Sequence, residues 1–281
     1  MRVLISADME GTAGVAIWEQ VTPPDLARRP APAEYEWART LMVNEVNAAI
    51  QGARAAGATE VIVNDSHDGM RNLRPGDLSP DAWLISGNRK PFGMMCGIDQ
   101  GIDAVMFTGY HARAGTPNGV LAHTWTLWVR DVRFGDTPVG EYGLNAAVAG
   151  HFGVPVVMVA GDEMAVRQTQ ELLGDEVVGV IVKYGVGTTS ARHMHPSRAC
   201  QAIAEGAAEG LRRKDRIRPY TPNYPLPVTI TLDNAEAVDL ALLVPGTERV
   251  GDTSLQYIAE DGVDLIRRWQ LIIAAASGAA R

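Results

Sequence analysis

Short apolar runs alternate with longer segments of helical periodicity along most of this chain, and that alternation limits its fold more than any other feature. Residues 2–7, 60–64, 82–86, 104–108, 155–160 and 177–182 read as strands, each a brief, nearly unbroken apolar run. Residues 34–56, 141–152 and 163–173 read as helices between them. In the first of these, Leu41, Met42, Val46, Ala49, Ile50 and Ala53 fall on one side, and Gly57 follows where a left-handed cap is favoured. Strand–helix–strand order with apolar strands predicts an α/β fold: a largely parallel or mixed central sheet flanked by helices. In such sheets functional groups collect beyond the carboxyl ends of the strands.

The pattern changes later. Residues 124–134 alternate apolar with polar or aromatic side chains and predict a longer antiparallel or edge strand. Beyond Gly185-Val186-Gly187-Thr188-Thr189-Ser190 come a helix over 196–213, a connection rich in proline (Pro219, Pro222, Pro225, Pro227) and a strand over 228–232. A final amphipathic helix carries Leu265, Ile266, Trp269, Ile272 and Ile273. We read residues 1–187 as one α/β domain and 188–281 as a smaller C-terminal α+β domain. Residues 23–32, with four prolines and two adjacent arginines, read as a surface loop.

The net charge of −8, from 25 basic and 33 acidic residues, argues against a general nucleic-acid binder. The basic run Arg212-Arg213-Lys214-Asp215-Arg216-Ile217-Arg218 reads as a solvated helix end, where cations are favoured. No apolar run is long enough to span a bilayer, and the N-terminus lacks a signal-peptide pattern. Cys96 and Cys200 do not suggest a disulfide framework. A cytoplasmic protein without membrane or nucleic-acid partners is expected.

Candidate chemistry gathers at the strand ends. Asp8 and Glu10, in Ser6-Ala7-Asp8-Met9-Glu10-Gly11, are two residues apart and share a face if the strand continues. Two such carboxylates repel unless one takes a proton or a cation intervenes. They are either metal ligands or solvated loop acids. His67 follows a strand in Val63-Asn64-Asp65-Ser66-His67-Asp68, where Asn, Asp and Ser serve a turn as readily as they orient a metal-bound imidazole. His111 follows Gly109-Tyr110, and Glu141 opens a helix, a place that suits an acid whatever its task. His123 opens a strand and is a candidate general acid or base. His151, His193 and His195 read as structural or surface residues.

These segments, in this order, resemble the zinc D-aminopeptidase family, the peptidases of bacterial dipeptide-transport operons. The resemblance is carried by Ser6–Gly11, Val63–His67, Leu84-Ile85-Ser86-Gly87, Lys90-Pro91-Phe92 and Gly109-Tyr110-His111-Ala112-Arg113-Ala114. It continues in Val139-Gly140-Glu141, Gly143-Leu144-Asn145, Val157-Met158-Val159-Ala160-Gly161-Asp162 and Pro245-Gly246-Thr247-Glu248. It implies that Asp8, Glu10, His67, His111 and Glu141 hold two zinc ions, with manganese or cobalt able to substitute. Asp8 would bridge the ions, Glu10 and His67 would complete one site, and His111 and Glu141 the other. His123 takes the place of the catalytic histidine, although Ala122 and Thr124-Trp125 depart from the family's surroundings there. The implied reaction is hydrolysis of short peptides with an N-terminal D-residue, such as D-Ala-D-Ala, by a metal-bridging water. The implied assembly is a ring-shaped homo-oligomer, decameric in the best-known relatives.

Two other readings stay open on the residues. A dinuclear hydrolase of L-peptides, amides or phosphoesters would use a similar ligand inventory, although no Asp-x-His opening or Gly-Asn-His motif occurs. A non-catalytic, metal-stabilised assembly protein would be expected to use closed sites, often with Cys.

Overall fold

The computed structural model describes residues 1–279. Two sheets organise them. The larger has seven strands: β1 (Arg2–Ala7), β2 (Glu60–Asp65), β3 (Ala82–Ile85), β4 (Ala104–Tyr110), β7 (Val156–Asp162), β8 (Val178–Gly187) and β9 (Ser190–His193). Their order is β3-β2-β1-β4-β7-β8-β9. All neighbours are parallel except β8 and β9, which form an antiparallel hairpin. The smaller sheet is antiparallel throughout: β5 (Val129–Phe134), β6 (Thr137–Pro138), β10 (Leu226–Leu232), β11 (Thr247–Gly251) and β12 (Ser254–Ala259), in the order β11-β12-β10-β5-β6.

The helices are α1 (Trp18–Val21), α2 (Pro32–Ala55), α3 (Glu141–His151), α4 (Glu163–Leu173), α5 (Pro196–Arg213), α6 (Ala235–Ala241) and α7 (Gly262–Ala276). The long helices α2 and α5 pack against each other along the large sheet, while α4 covers β7 and β8. A methyl group on Gly52 of α2 would lie 2.1 Å from the Ala204 carbonyl of α5, so the two backbones come close only because that side chain is absent. Strands β1, β4 and β7 are buried almost throughout, as the unbroken apolar runs require of a sheet covered on both faces.

The boundary between the two sheets does not follow a cut at 187/188. β5 and β6 lie earlier in the chain yet complete the smaller sheet, and β9 and α5 lie later yet belong with the larger. The expected strand over 124–134 begins only at Val129. Residues 124–126 form a tight bridge instead, with Trp125 at φ +65°. The cause is local: the Trp125 amide donates to Glu141 Oε1 at 2.6 Å, which turns this segment towards α3 and away from a strand.

Helix α7 lies between the smaller sheet and α3. It packs on β12 and on α3, and Trp269 at its centre is fully buried. The end of the large sheet and the flank of α7 thereby face one cavity.

Candidate metal centre

The carboxyl ends of β1, β2 and β4 meet at one point. The Asp8 amide donates to the Thr108 carbonyl and the Gly11 amide to the Gly109 carbonyl, so the chain leaving β1 stays tied to the end of β4. That fit depends on small residues. Gly109 sits at φ +67°, and a methyl group there would lie 2.1 Å from the Asp8 carbonyl. Here Asp8, Glu10, His67, His111 and Glu141 converge, all buried.

The distances divide the set in two. Asp8 Oδ1 lies 3.2 Å from His67 Nδ1, and Glu10 Oε2 lies 3.0 Å from the same nitrogen. Asp8 Oδ2 lies 3.5 Å from His111 Nε2, and Glu141 Oε1 lies 3.3 Å from it. One carboxylate thus faces two imidazoles, each of which also meets a further acid. Asp8 Oδ2 and Glu10 Oε2 are buried and make no hydrogen bond of good geometry among the described residues, the ring nitrogens of His111 and His67 being their neighbours. Orphaned carboxylate oxygens are costly in a low-dielectric interior unless a cation answers them. That donor set fits a divalent metal, with the mixed carboxylate and imidazole chemistry that suits zinc.

Backbone carbonyls orient all three histidines. His67 Nε2 donates to the Val21 carbonyl at 2.7 Å, His111 Nδ1 to that of Ala112 at 3.0 Å, and His123 Nδ1 to that of Leu121 at 2.8 Å. With one nitrogen engaged, the other is aimed into the cavity, where a metal ion would take it as a lone-pair donor, the arrangement by which outer hydrogen bonds fix a ligand's tautomer. His123 Nε2 lies 3.8 Å from Glu10 Oε1, and its ring stacks on His111 with centroids 4.0 Å apart. His111, His123 and Glu141 each offer an atom within 4.8 Å of the others. Distance alone therefore does not separate ligand from acid at His123.

The electrostatics match a crowded set of charges. Burial raises the Asp8 carboxyl to about 8, and neighbouring Glu10 adds to the rise. Burial pulls the His67 imidazole down, but Glu10 and Asp8 overcome it and hold it well above its usual range. For His111 the same contest, with Glu141 as the main opposing charge, ends at about 10. His123 moves the other way, lowered by burial and by His111. In each pair the imidazolium proton does what a metal cation would do.

Further residues support the ligands. Asp65 accepts from the Asn72 amide at 2.6 Å and the Leu73 amide at 2.7 Å, which shapes the turn after His67. Lys90 Nζ donates to Asn64 Oδ1 and to the Asp65 carbonyl, both at 2.6 Å. Lys183, fully buried on β8, reaches the backbone just beyond β1. Sequence patterning does not single these out, because Asn64-Asp65-Ser66 reads as an ordinary turn and a lysine in a strand is expected at its exposed face. As expected, His195 is exposed; His151, read as structural, is the last residue of α3 and is exposed as well. His193 is also exposed, but its Nδ1 accepts from the Gly14 amide at 3.0 Å.

The site opens into a cavity of about 720 Å³. Trp18, Trp125 and Trp128 contribute aromatic surface, and Gln270 and Ile273 bring α7 to the wall. Asp68 and Arg89, both exposed, carry opposite charges on the lining. No helix among the described residues is long and apolar enough to cross a membrane.

Comparison with known proteins places this geometry in context. The peptidase M55 family model, described as D-aminopeptidase, matches residues 1–271. A D-aminopeptidase of Bacillus subtilis (strain 168) is 40% identical over 262 residues, which cover 93% of this chain and 92% of that protein. A solved structure, the Zn-dependent D-aminopeptidase DppA from Bacillus subtilis, described as a self-compartmentalizing protease, superposes with a TM-score of 0.93. It is 37% identical, with both chains covered in full.

Proposed function

The chain belongs to the peptidase M55, D-aminopeptidase, family, and from that premise we propose that it is a zinc-dependent aminopeptidase with two metal ions per chain, acting on short peptides that begin with a D-residue, D-Ala-D-Ala among them. The observation that carries the two-ion reading is Asp8, whose two oxygens face His67 and His111 separately. In this reading Asp8 serves both ions, Glu10 and His67 complete one site, and His111 and Glu141 the other. Zinc held this way supplies Lewis acidity towards a peptide carbonyl and acidifies coordinated water near neutral pH, and manganese or cobalt would serve in its place.

The chain's own residues do the rest. His123 keeps Nδ1 on the Leu121 carbonyl and presents Nε2 beside the ligands, where it can hold a proton for the departing amine or donate to a developing oxyanion. Trp18 packs its ring edge against His123, which limits water and fixes the imidazole plane. A cavity of about 720 Å³ with Asp68 and Arg89 exposed on its lining suits a small zwitterion such as a dipeptide better than a long chain. The self-compartmentalizing relative supports a ring-shaped homo-oligomer, which we take to be a cytoplasmic decamer.

One preparation tests the reading. Zinc content near two per chain should accompany turnover of D-Ala-D-Ala, which a chelator abolishes and added zinc restores, while L-Ala-L-Ala is hydrolysed poorly. Hydrolysis that ignores the chelator would remove the metal mechanism. Preference for the L-dipeptide, or for simple amides over dipeptides, would reassign the substrate.

A further inference from the structure

The segment that follows β1, Gly11–Val15, carries Glu10 at its root and has no regular secondary structure of its own. Three elements from distant parts of the sequence grip it. On α2, Glu45 Oε1 accepts from the Ala13 amide at 2.8 Å. On β9, His193 accepts from the Gly14 amide. On β8, Lys183 Nζ donates to the carbonyls of Glu10, Thr12 (3.2 Å) and Val15 (2.6 Å). Lys183 is 0% exposed and has no ion-pair partner within 4.0 Å among the described residues. Fully burying a lysine is costly, and full burial is rare without a paired charge. Three acceptors converging on one nitrogen match the three N–H groups of an ammonium, so the cost is met by folding a loop around it.

We propose that Lys183 is a positioning residue for the metal centre: by holding the Glu10, Thr12 and Val15 carbonyls it fixes the backbone from which Glu10 reaches its ion. This rests on the two-zinc reading above. The geometry assigns the effect to one ion, because Glu10 stands beside His67, whereas His111 directly follows β4 and Glu141 opens α3. The sign of the effect separates positioning from simple charge. Removing a buried cation near Asp8 and Glu10 makes the site more negative and should tighten cation binding if charge were all that mattered. Losing the strut should loosen it, on the pattern of outer hydrogen bonds to ligands, by about 10- to 100-fold.

The test is zinc titration of the full-length protein against a chromophoric chelator, with thermal melting alongside. Lys183→Met removes the donors at similar length, and Lys183→Gln keeps a shorter partial donor. Val180→Ala, another buried β8 change, controls for lost packing. We expect one of the two zinc ions to bind the Lys183 variants as it binds the wild type, and the other to bind about 10- to 100-fold less well. The rise in melting temperature on zinc addition should shrink, and Lys183→Gln should fall between wild type and Lys183→Met. Val180→Ala should melt earlier yet titrate normally. Zinc affinities that are both unchanged, tighter at either site, weakened alike at both sites, or weakened equally in Val180→Ala would overturn the proposal. So would failure of both Lys183 variants to fold in zinc while Val180→Ala folds, since the lysine would then serve the whole fold. A wild-type protein that binds fewer than two zinc ions would instead sink the underlying reading, independently of Lys183.

Discussion

His123 is the residue on which metal binding and catalysis can be told apart. Its ring lies flat against His111, its Nδ1 is committed to a backbone carbonyl, and its Nε2 lies farther from Glu10 than does His67 Nδ1. A proton donor in that place should contribute on the order of 10²- to 10⁴-fold to turnover. His123→Ala is therefore expected to lower kcat by that order while zinc content stays at two per chain, as measured by steady-state kinetics and elemental analysis on one sample. Loss of an ion would make His123 a ligand and move the proton transfer to another group. His67→Ala should behave oppositely and lose zinc, because its Nδ1 faces both Asp8 and Glu10.

At the scale of elements, the site depends on how closely the end of β1 can approach the end of β4. Gly109→Ala places a methyl group against the Asp8 carbonyl and a side chain at positive φ, whereas Gly57→Ala also meets positive φ but finds nothing within 4 Å. Both variants carry a conformational cost of about 1–2 kcal/mol, and only Gly109→Ala adds a backbone collision beside a proposed metal ligand. Thermal melting should show the larger loss for Gly109→Ala, and that variant alone should lose zinc. The grip of α2 on the loop after β1 has a pH signature. Burial raises the Glu45 carboxyl from 4.5 to about 7, against the Ala13 amide and the charge of Lys183. Cys200, the other titratable group facing it, is a thiol raised above its ordinary value. The folded chain then binds a proton that the unfolded chain has released, so stability falls as pH rises from about 4.5 to about 7. Full ionisation costs on the order of 3 kcal/mol. Glu45→Gln, which keeps an acceptor for the Ala13 amide, should flatten the wild-type decline in melting temperature across that window. A steeper decline in the variant would mean that the ionised carboxylate is the stabilised form. The same elements explain what the sequence discloses. Strands of the large sheet are legible because sheets covered on both faces need continuous apolar runs, and the proposed ligands are legible because they stand at the ends of those runs. Residues 124–128 mislead because alternation also arises when a turn presents aromatic residues to a cavity. Lys183 and Glu45 are invisible for a different reason: their partners are main-chain groups of a loop far away in sequence, and no periodicity records those.

For the whole molecule, the question is what covers the edges of the large sheet. β3 and β9 are its outermost strands, and an edge strand leaves unpaired backbone groups that invite another chain. Trp83 on β3 is 71% exposed, and Val186, beside the turn of the β8–β9 hairpin, is 70% exposed. Large apolar side chains at both edges of one sheet suit a chain with neighbours on two sides, the condition for a closed ring built from repeated contacts. Both residues lie outside the cavity lining, so assembly and metal binding should be separable by mutation. Light scattering of the wild-type protein is expected to give a mass of about ten chains. Trp83→Lys and Val186→Asp should each shift the population to smaller species that still bind zinc as the assembled protein does. A wild-type protein that is monomeric at micromolar concentration would leave these side chains without an occupant. A variant that dissociated and lost zinc together would instead show that the site needs the neighbouring chain, a dependence that the convergence of Asp8, Glu10, His67, His111 and Glu141 within one chain argues against.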